Sequence, residues 1–132
     1  SGVLVLAGTG SMAMARGPGG GIARTGGWGD VVGDEGSAFW IGQRALKLAA
    51  RALDGQGGDA GFARALMRLL GEGDDPGAPL RWVMAARDRS AIAGLARHVD
   101  ALAEGGQPTA RAILTRGAGH LARQARAAAR LA

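Results

Sequence analysis

All of the strand-forming sequence in this chain lies in its first 27 residues, and everything after Ser37 carries helical patterns only. "VLVLAG" (3–8) is a continuous, β-branched apolar run ending in glycine, and it reads as a buried strand. "TGS" turns the chain, "MAMAR" (12–16) supplies a second strand, and "IARTGG" (22–27) returns as a third. Between the last two, "GPGGG" (17–21) is the strongest turn signal in the sequence. The expectation is an α/β unit: an N-terminal β-meander of three strands, followed by four to five helices.

The helical part is patterned clearly. Ile41, Ala45, Leu48, Ala49 and Ala52 share one face, with Arg44, Lys47 and Arg51 on another and Ser37 as N-cap. Asp59 can cap a second helix with the face Phe62, Leu66, Leu69 and Leu70 and a stop at Gly71. "EGDDPGAP" (72–79) is a loop, and "LRWVMAAR" (80–87) is a short helix or an irregular packed segment, with Met67, Trp82 and Met84 in the core. Ile92, Leu95, Ala96, Val99, Leu102 and Ala103 make the cleanest amphipathic pattern, ended by Gly105 and Gly106. Pro108 then starts a last helix with Ile113, Leu114, Leu121 and Ala125 inward and Arg116, Arg123, Arg126 and Arg130 outward.

No internal repeat or linker divides the chain, so residues 1–132 read as one unit. A strand such as 3–8 needs neighbours if it is central. The helical pattern also runs to Leu131–Ala132 without a stop signal, so the sequence reads as a piece of a larger α/β protein.

Composition removes several function classes. There is no cysteine, which excludes disulfides, iron–sulfur clusters and thiolate zinc sites and fits a cytoplasmic setting. No apolar run is long enough to span a membrane. The net charge of +5 comes entirely from five arginines after Glu104, which read as a solvated helix face. With no tyrosine and 4% aromatics there is no base-stacking platform, so no nucleic-acid partner is expected. His98 and His120 lack partners at metal-ligand spacing, and Ser11, Ser37 and Ser90 lack a His–Asp pair, so neither a metal site nor a hydrolase triad is expected.

Two glycine-rich stretches could carry chemistry. "LAGTGS" (6–11) places Gly8, Thr9, Gly10 and Ser11 directly after a strand, where backbone amides and hydroxyls can approach an anion. It is either a phosphate loop, though without the lysine and helix of a P-loop, or an ordinary hairpin turn. "GGWGDVVGDEGS" (26–37) approaches a helix N-terminus, where Asp34 and Glu35 either complement the helix dipole or belong to a sugar site. In the second reading a carboxylate accepts from sugar hydroxyls, and Trp28, between Gly27 and Gly29, offers an apolar face.

Taken together, "AGTGS" and "GGWGDVVGDEGSAFWIGQRAL" resemble the second lobe of the N-acetylglucosamine kinase and BadF/BadG/BcrA/BcrD ATPase family. "RDRSAIAGLARHV" (87–99) and "GGQPTARAILTRGAGHLARQ" (105–124) extend the resemblance over essentially the whole chain. The family belongs to the sugar kinase, heat-shock ATPase and actin superfamily, with two ribonuclease H-like lobes around an ATP cleft.

The resemblance implies that Gly8, Thr9, Gly10 and Ser11 hold the β- and γ-phosphates of ATP. It places Gly27, Trp28, Gly29 and Asp34 against an amino sugar, and Ala93 and Gly94 near the adenosine. Glu35 belongs to the same signature and is expected to orient the loop. ATP with Mg²⁺ and an amino sugar are the implied ligands, with O6 of N-acetylglucosamine or glucosamine as the implied acceptor. No catalytic residue is expected in this chain. The family's first phosphate loop and general-base aspartate precede the part represented here, and its adenosine-closing segment follows it. The isolated chain is therefore expected to be inactive, and its strand edge to favour a homodimer. The resemblance leaves open a regulatory unit that binds nucleotide or sugar without turnover. Absence of cysteine sets the chain apart from the iron–sulfur activators of the family.

Overall fold

The computed structural model describes residues 1–85 and 88–132; the end of the 80–87 segment and the start of the 87–99 pattern lie outside the described residues. Its strands are β1 (Gly2–Ala7), β2 (Ser11–Arg16) and β3 (Ile22–Gly26), an antiparallel sheet with β2 in the centre. The register pairs Val3 with Ala15, Val5 with Ala13 and Ala7 with Ser11, and on the other side Ala23 with Ala15 and Thr25 with Ala13. Side chains alternate along a strand, so these residues share one face, while Leu4, Leu6, Met12, Met14, Arg16 and Arg24 share the other.

The helical segments are α1 (Gly29–Val32), α2 (Ala38–Leu53), α3 (Ala60–Leu69), α4 (Ala78–Met84), α5 (Arg89–Gly94), α6 (Ala96–Glu104) and α7 (Pro108–Leu131). The expected fold class holds, with more segments than the sequence pattern suggests. α1 is a single turn of Gly29, Asp30, Val31 and Val32, too short for periodicity to reveal. The pattern around 92–103 divides at Leu95, the C-cap of α5 and the N-cap of α6, directly after Gly94. The expected caps form: Ser37 Oγ accepts from Trp40 N at 3.1 Å, and Asp59 Oδ1 accepts from Phe62 N at 2.9 Å.

The apolar interior has two parts. The larger one is helical and runs from Ala45 to Ile113, around Phe62, Leu66, Met67, Trp82, Leu95 and Val99. The smaller joins Ala13 and Ala15 of β2 to Ala128 of α7, which crosses the inner face of the sheet. Alanine on both sides brings helix and sheet close together. Asp59 also ties α3 to the start of α7, accepting from Gln107 Nε2 at 2.8 Å and Thr109 Oγ1 at 2.7 Å.

Three burial expectations are corrected. "VLVLAG" is not a buried strand: β1 is the sheet edge, and Val3 to Leu6 are 40–55% exposed because α7 covers β2 and leaves the edge bare. Met84 is 75% exposed, since the short α4 buries Ala78, Pro79 and Trp82 and packs Val83 partly against the core. Leu69, at the last turn of α3, is 46% exposed where the helix runs out of neighbours. Among the described residues no helix is long and apolar enough to cross a membrane.

Candidate active-site cleft

The two glycine-rich stretches meet. Between β1 and β2 the chain reverses at Gly8, Thr9 and Gly10, closed by a Gly8 N to Gly10 O hydrogen bond of 2.9 Å. The second stretch is pinned to the first at both ends: Gly27 N donates to Ser11 O at 2.9 Å, and Ala38 N, at the first turn of α2, donates to Gly8 O at 2.7 Å. The Thr9 and Gly10 amides donate to no protein acceptor among the described residues, which leaves them available to an anion.

Asp34 sits at the junction. It is 4% exposed and is the only non-glycine among the described residues at positive φ, +64°, a conformation Asp tolerates better than most side chains. Its Oδ1 accepts from Ser11 N at 3.0 Å, and its Oδ2 accepts from Arg89 Nη2 at 2.7 Å. A Cβ at Gly10 would lie 2.9 Å from Asp34 Oδ1, so glycine is what lets the carboxylate reach the loop. A buried carboxylate demands such partners, because an unpaired charge there is strongly destabilising. Each oxygen retains a further lone pair for a ligand hydroxyl.

Behind the carboxylate, Ser11 Oγ donates to the backbone carbonyl of Glu35 at 2.8 Å. Gln124 of α7 donates through Nε2 to Ser11 Oγ at 3.2 Å and to Glu35 O at 3.3 Å. In this structure, then, the main-chain carbonyl of Glu35 braces the loop. Gly36, at φ +84°, passes against the backbone of α7, where an added Cβ would lie 2.6 Å from Gly117 O.

The result is an open cleft of about 330 Å³ lined by Leu6, Gly10, Ser11, Met12, Gly27, Gly29, Asp34 and Arg89. Five of the ten residues expected at the site therefore share one lining. Thr9 is exposed on the adjoining turn, and Trp28 is 70% exposed beside it, followed by the exposed Val31 and Val32. Gly94 lines a different groove with Trp82, Asp88, Ser90 and His98, while Ala93 lies on the same short helix. A further groove of about 480 Å³ crosses the sheet beside Leu4, Met14 and Ile22; Arg16 is its one charged side chain, so it offers no converging polar groups.

Sequence reasoning missed Arg89 and Gln124. Arg89 lies 55 positions from Asp34 in a chain with many arginines, and Gln124 sits on a helix between the outward-facing Arg123 and Arg126. No local signal marks either.

Among the described residues no group of three or more His, Asp or Glu side chains comes together to hold a metal ion. The carboxylates nearest the cleft, Asp30 and Asp34, both face Arg89 at 3.9 and 2.7 Å, a donor set that does not fit a resident Mg²⁺.

The three-stranded antiparallel sheet followed by helices matches the actin-like ATPase fold class. The chain belongs to the BadF/BadG/BcrA/BcrD ATPase family, whose sequence model matches residues 1–131. Over 56 residues it is 46% identical to an N-acetylmuramic acid/N-acetylglucosamine kinase of Clostridium acetobutylicum, a match that covers 42% of this chain and 18% of that protein. A crystal structure from Chromobacterium violaceum, provisionally named an N-acetylglucosamine kinase, superposes with a TM-score of 0.80 at 36% identity. That superposition covers 96% of this chain and 43% of the other. The chain thus spans less than half the length of either relative.

Proposed function

We propose that the protein to which this chain belongs is an ATP-dependent amino-sugar kinase, and that residues 1–132 form its second lobe. The observation that supports the reading is the Ser11 N to Asp34 Oδ1 hydrogen bond, which sets the glycine turn and a buried carboxylate side by side in one cleft. The names of both relatives point the same way.

In this reading the amides of Thr9 and Gly10, with the Thr9 hydroxyl, hold terminal phosphate oxygens of ATP. Asp34 accepts from hydroxyls of N-acetylglucosamine or glucosamine, while Gly27, Trp28 and Gly29 line the sugar side. Ala93 and Gly94 lie toward the adenosine. The O6 oxygen of the sugar attacks the γ-phosphorus, the bond from that phosphorus to the β-bridging oxygen breaks, and ADP leaves. The hydroxyl proton passes to a base outside this chain. Mg²⁺ would belong to the substrate as its ATP complex, where it would supply charge neutralisation. The setting is the cytoplasm, where ATP is supplied. Because positioning by both lobes makes the reaction, residues 1–132 alone turn nothing over.

The test is a thermal-shift and phosphoryl-transfer assay on the full-length protein with ATP and several amino sugars. Asp34→Ala is expected to abolish the sugar-induced shift and to leave the ATP-induced shift largely intact. An unchanged sugar shift in that variant overturns the site assignment. Sugar and ATP binding without sugar phosphate would instead identify a binding unit.

A further inference from the structure

Asp34 could have met its need for a partner with backbone amides alone, yet one oxygen is paired with a side chain from a distant element. Arg89, the first residue of α5, reaches three groups at once. Its Nη2 donates to Asp34 Oδ2 at 2.7 Å and to the backbone carbonyl of Thr9 at 3.3 Å, and its Nη1 lies 3.9 Å from Asp30 Oδ1. The guanidinium also stacks over Phe39, with Cζ 5.1 Å from the ring centroid, and Phe39 is itself buried at the start of α2.

This geometry differs from a surface ion pair. The Arg89 side chain is 42% exposed while that of Asp34 is 5% exposed, so the pair sits at the mouth of the cleft with the anion inside. Stacking on Phe39 fixes the plane of the fork, and the fork then fixes which way Asp34 faces. The Thr9 carbonyl belongs to the turn assigned above to phosphate, and the Asp34 carboxylate to the group assigned to sugar.

We infer that Arg89 is a positioning residue that orients Asp34 for sugar hydroxyls and couples it to the phosphate turn. The inference rests on the amino-sugar kinase reading. A nucleotide that orders the Thr9 turn also orders the acceptor of the Arg89 Nη2 bond, and so favours the Asp34 orientation that the sugar needs. Coupling of this kind is reciprocal, so sugar and nucleotide each tighten the binding of the other.

The experiment is calorimetric titration of the full-length protein with N-acetylglucosamine, with and without a non-hydrolysable ATP analogue. The wild type is expected to bind the sugar more tightly when the analogue is present. In Arg89→Ala the sugar Kd should rise by about tenfold or more, as for loss of a charge-assisted hydrogen bond, and the gain from the analogue should vanish. Arg89→Lys keeps the charge but not the fork, and should recover part of the sugar affinity without the coupling. Arg89→Gln, closer in shape and uncharged, serves if Arg89→Ala fails to fold, with the same expected loss. Sugar affinity and analogue gain both within twofold of wild type in the folded Ala or Gln variant overturn the inference and leave the kinase reading standing. A wild type that binds no amino sugar, or an Asp34→Asn variant that binds it unchanged, overturns the kinase reading and the inference with it.

Discussion

Gly36→Ala is the sharpest test of how the cleft is built. Gly36 adopts φ +84°, and moving an alanine into the left-handed region costs about 1–2 kcal/mol. Its added Cβ would lie 2.6 Å from Gly117 O, 2.7 Å from Leu121 Cγ and 3.0 Å from Leu121 Cδ2. Leu121 can rotate away, but the Gly117 carbonyl is backbone in the middle of α7, so the loop must move instead. Overpacking of that kind costs about 1–3 kcal/mol. The smaller conformational entropy of unfolded alanine returns about 0.4–1 kcal/mol to the destabilised side. The balance is a net loss of about 1–4.5 kcal/mol, set against the ~5–15 kcal/mol that holds a typical domain together. Urea denaturation of the full-length protein should show a midpoint lowered by that loss divided by the slope, with the slope itself unchanged. Because Asp34 is two residues away, the amino-sugar thermal shift should fall in parallel. A loss below about 1 kcal/mol with the sugar response intact would refute the backbone-on-backbone account of the loop.

Gly119→Ala, on the exposed side of α7 with nothing within 4 Å of an added Cβ, should stabilise the same protein by about 0.5–1 kcal/mol in the same urea titration. Asp59 gives a pH prediction. Hydrogen bonds from Thr109, Gln107 and the Phe62 amide hold its carboxyl below the ordinary value of 3.8, so the stability it adds is fully present above that value. That stability is lost as pH falls through the folded value, and acid titration of Asp59→Asn should lack this part of the loss seen in the wild type.

Local chemistry was readable where it was dense. The three strands, the Ser37 and Asp59 caps, the Pro108 start and the outward arginines of α7 all rest on turn residues, caps or periodicity within a few positions. The burial of β1 was not readable, because "VLVLAG" has the same composition whether or not neighbours flank it. The break at Leu95 was hidden because both helices keep apolar residues on a compatible face. At the cleft, the glycines and Asp34 stood out through spacing. Arg89 and Gln124 did not, since each acts across 55 or more positions, and Gln124 acts partly on a backbone carbonyl that no side chain announces.

The division of the interior into two clusters sets an order of assembly. The helical cluster draws on residues between Trp40 and Leu114, so a growing chain holds everything it needs well before α7 is finished. The alanine cluster cannot close until Ala128 exists, and the bonds from Gln124 Nε2 to Ser11 Oγ and from Thr25 Oγ1 to the Gln124 carbonyl span 113 and 99 positions. Closing loops of that length costs chain entropy that only the completed contact repays. The turn that reads as a phosphate loop thus precedes the helices along the chain but is fixed in space only when α7 reaches it.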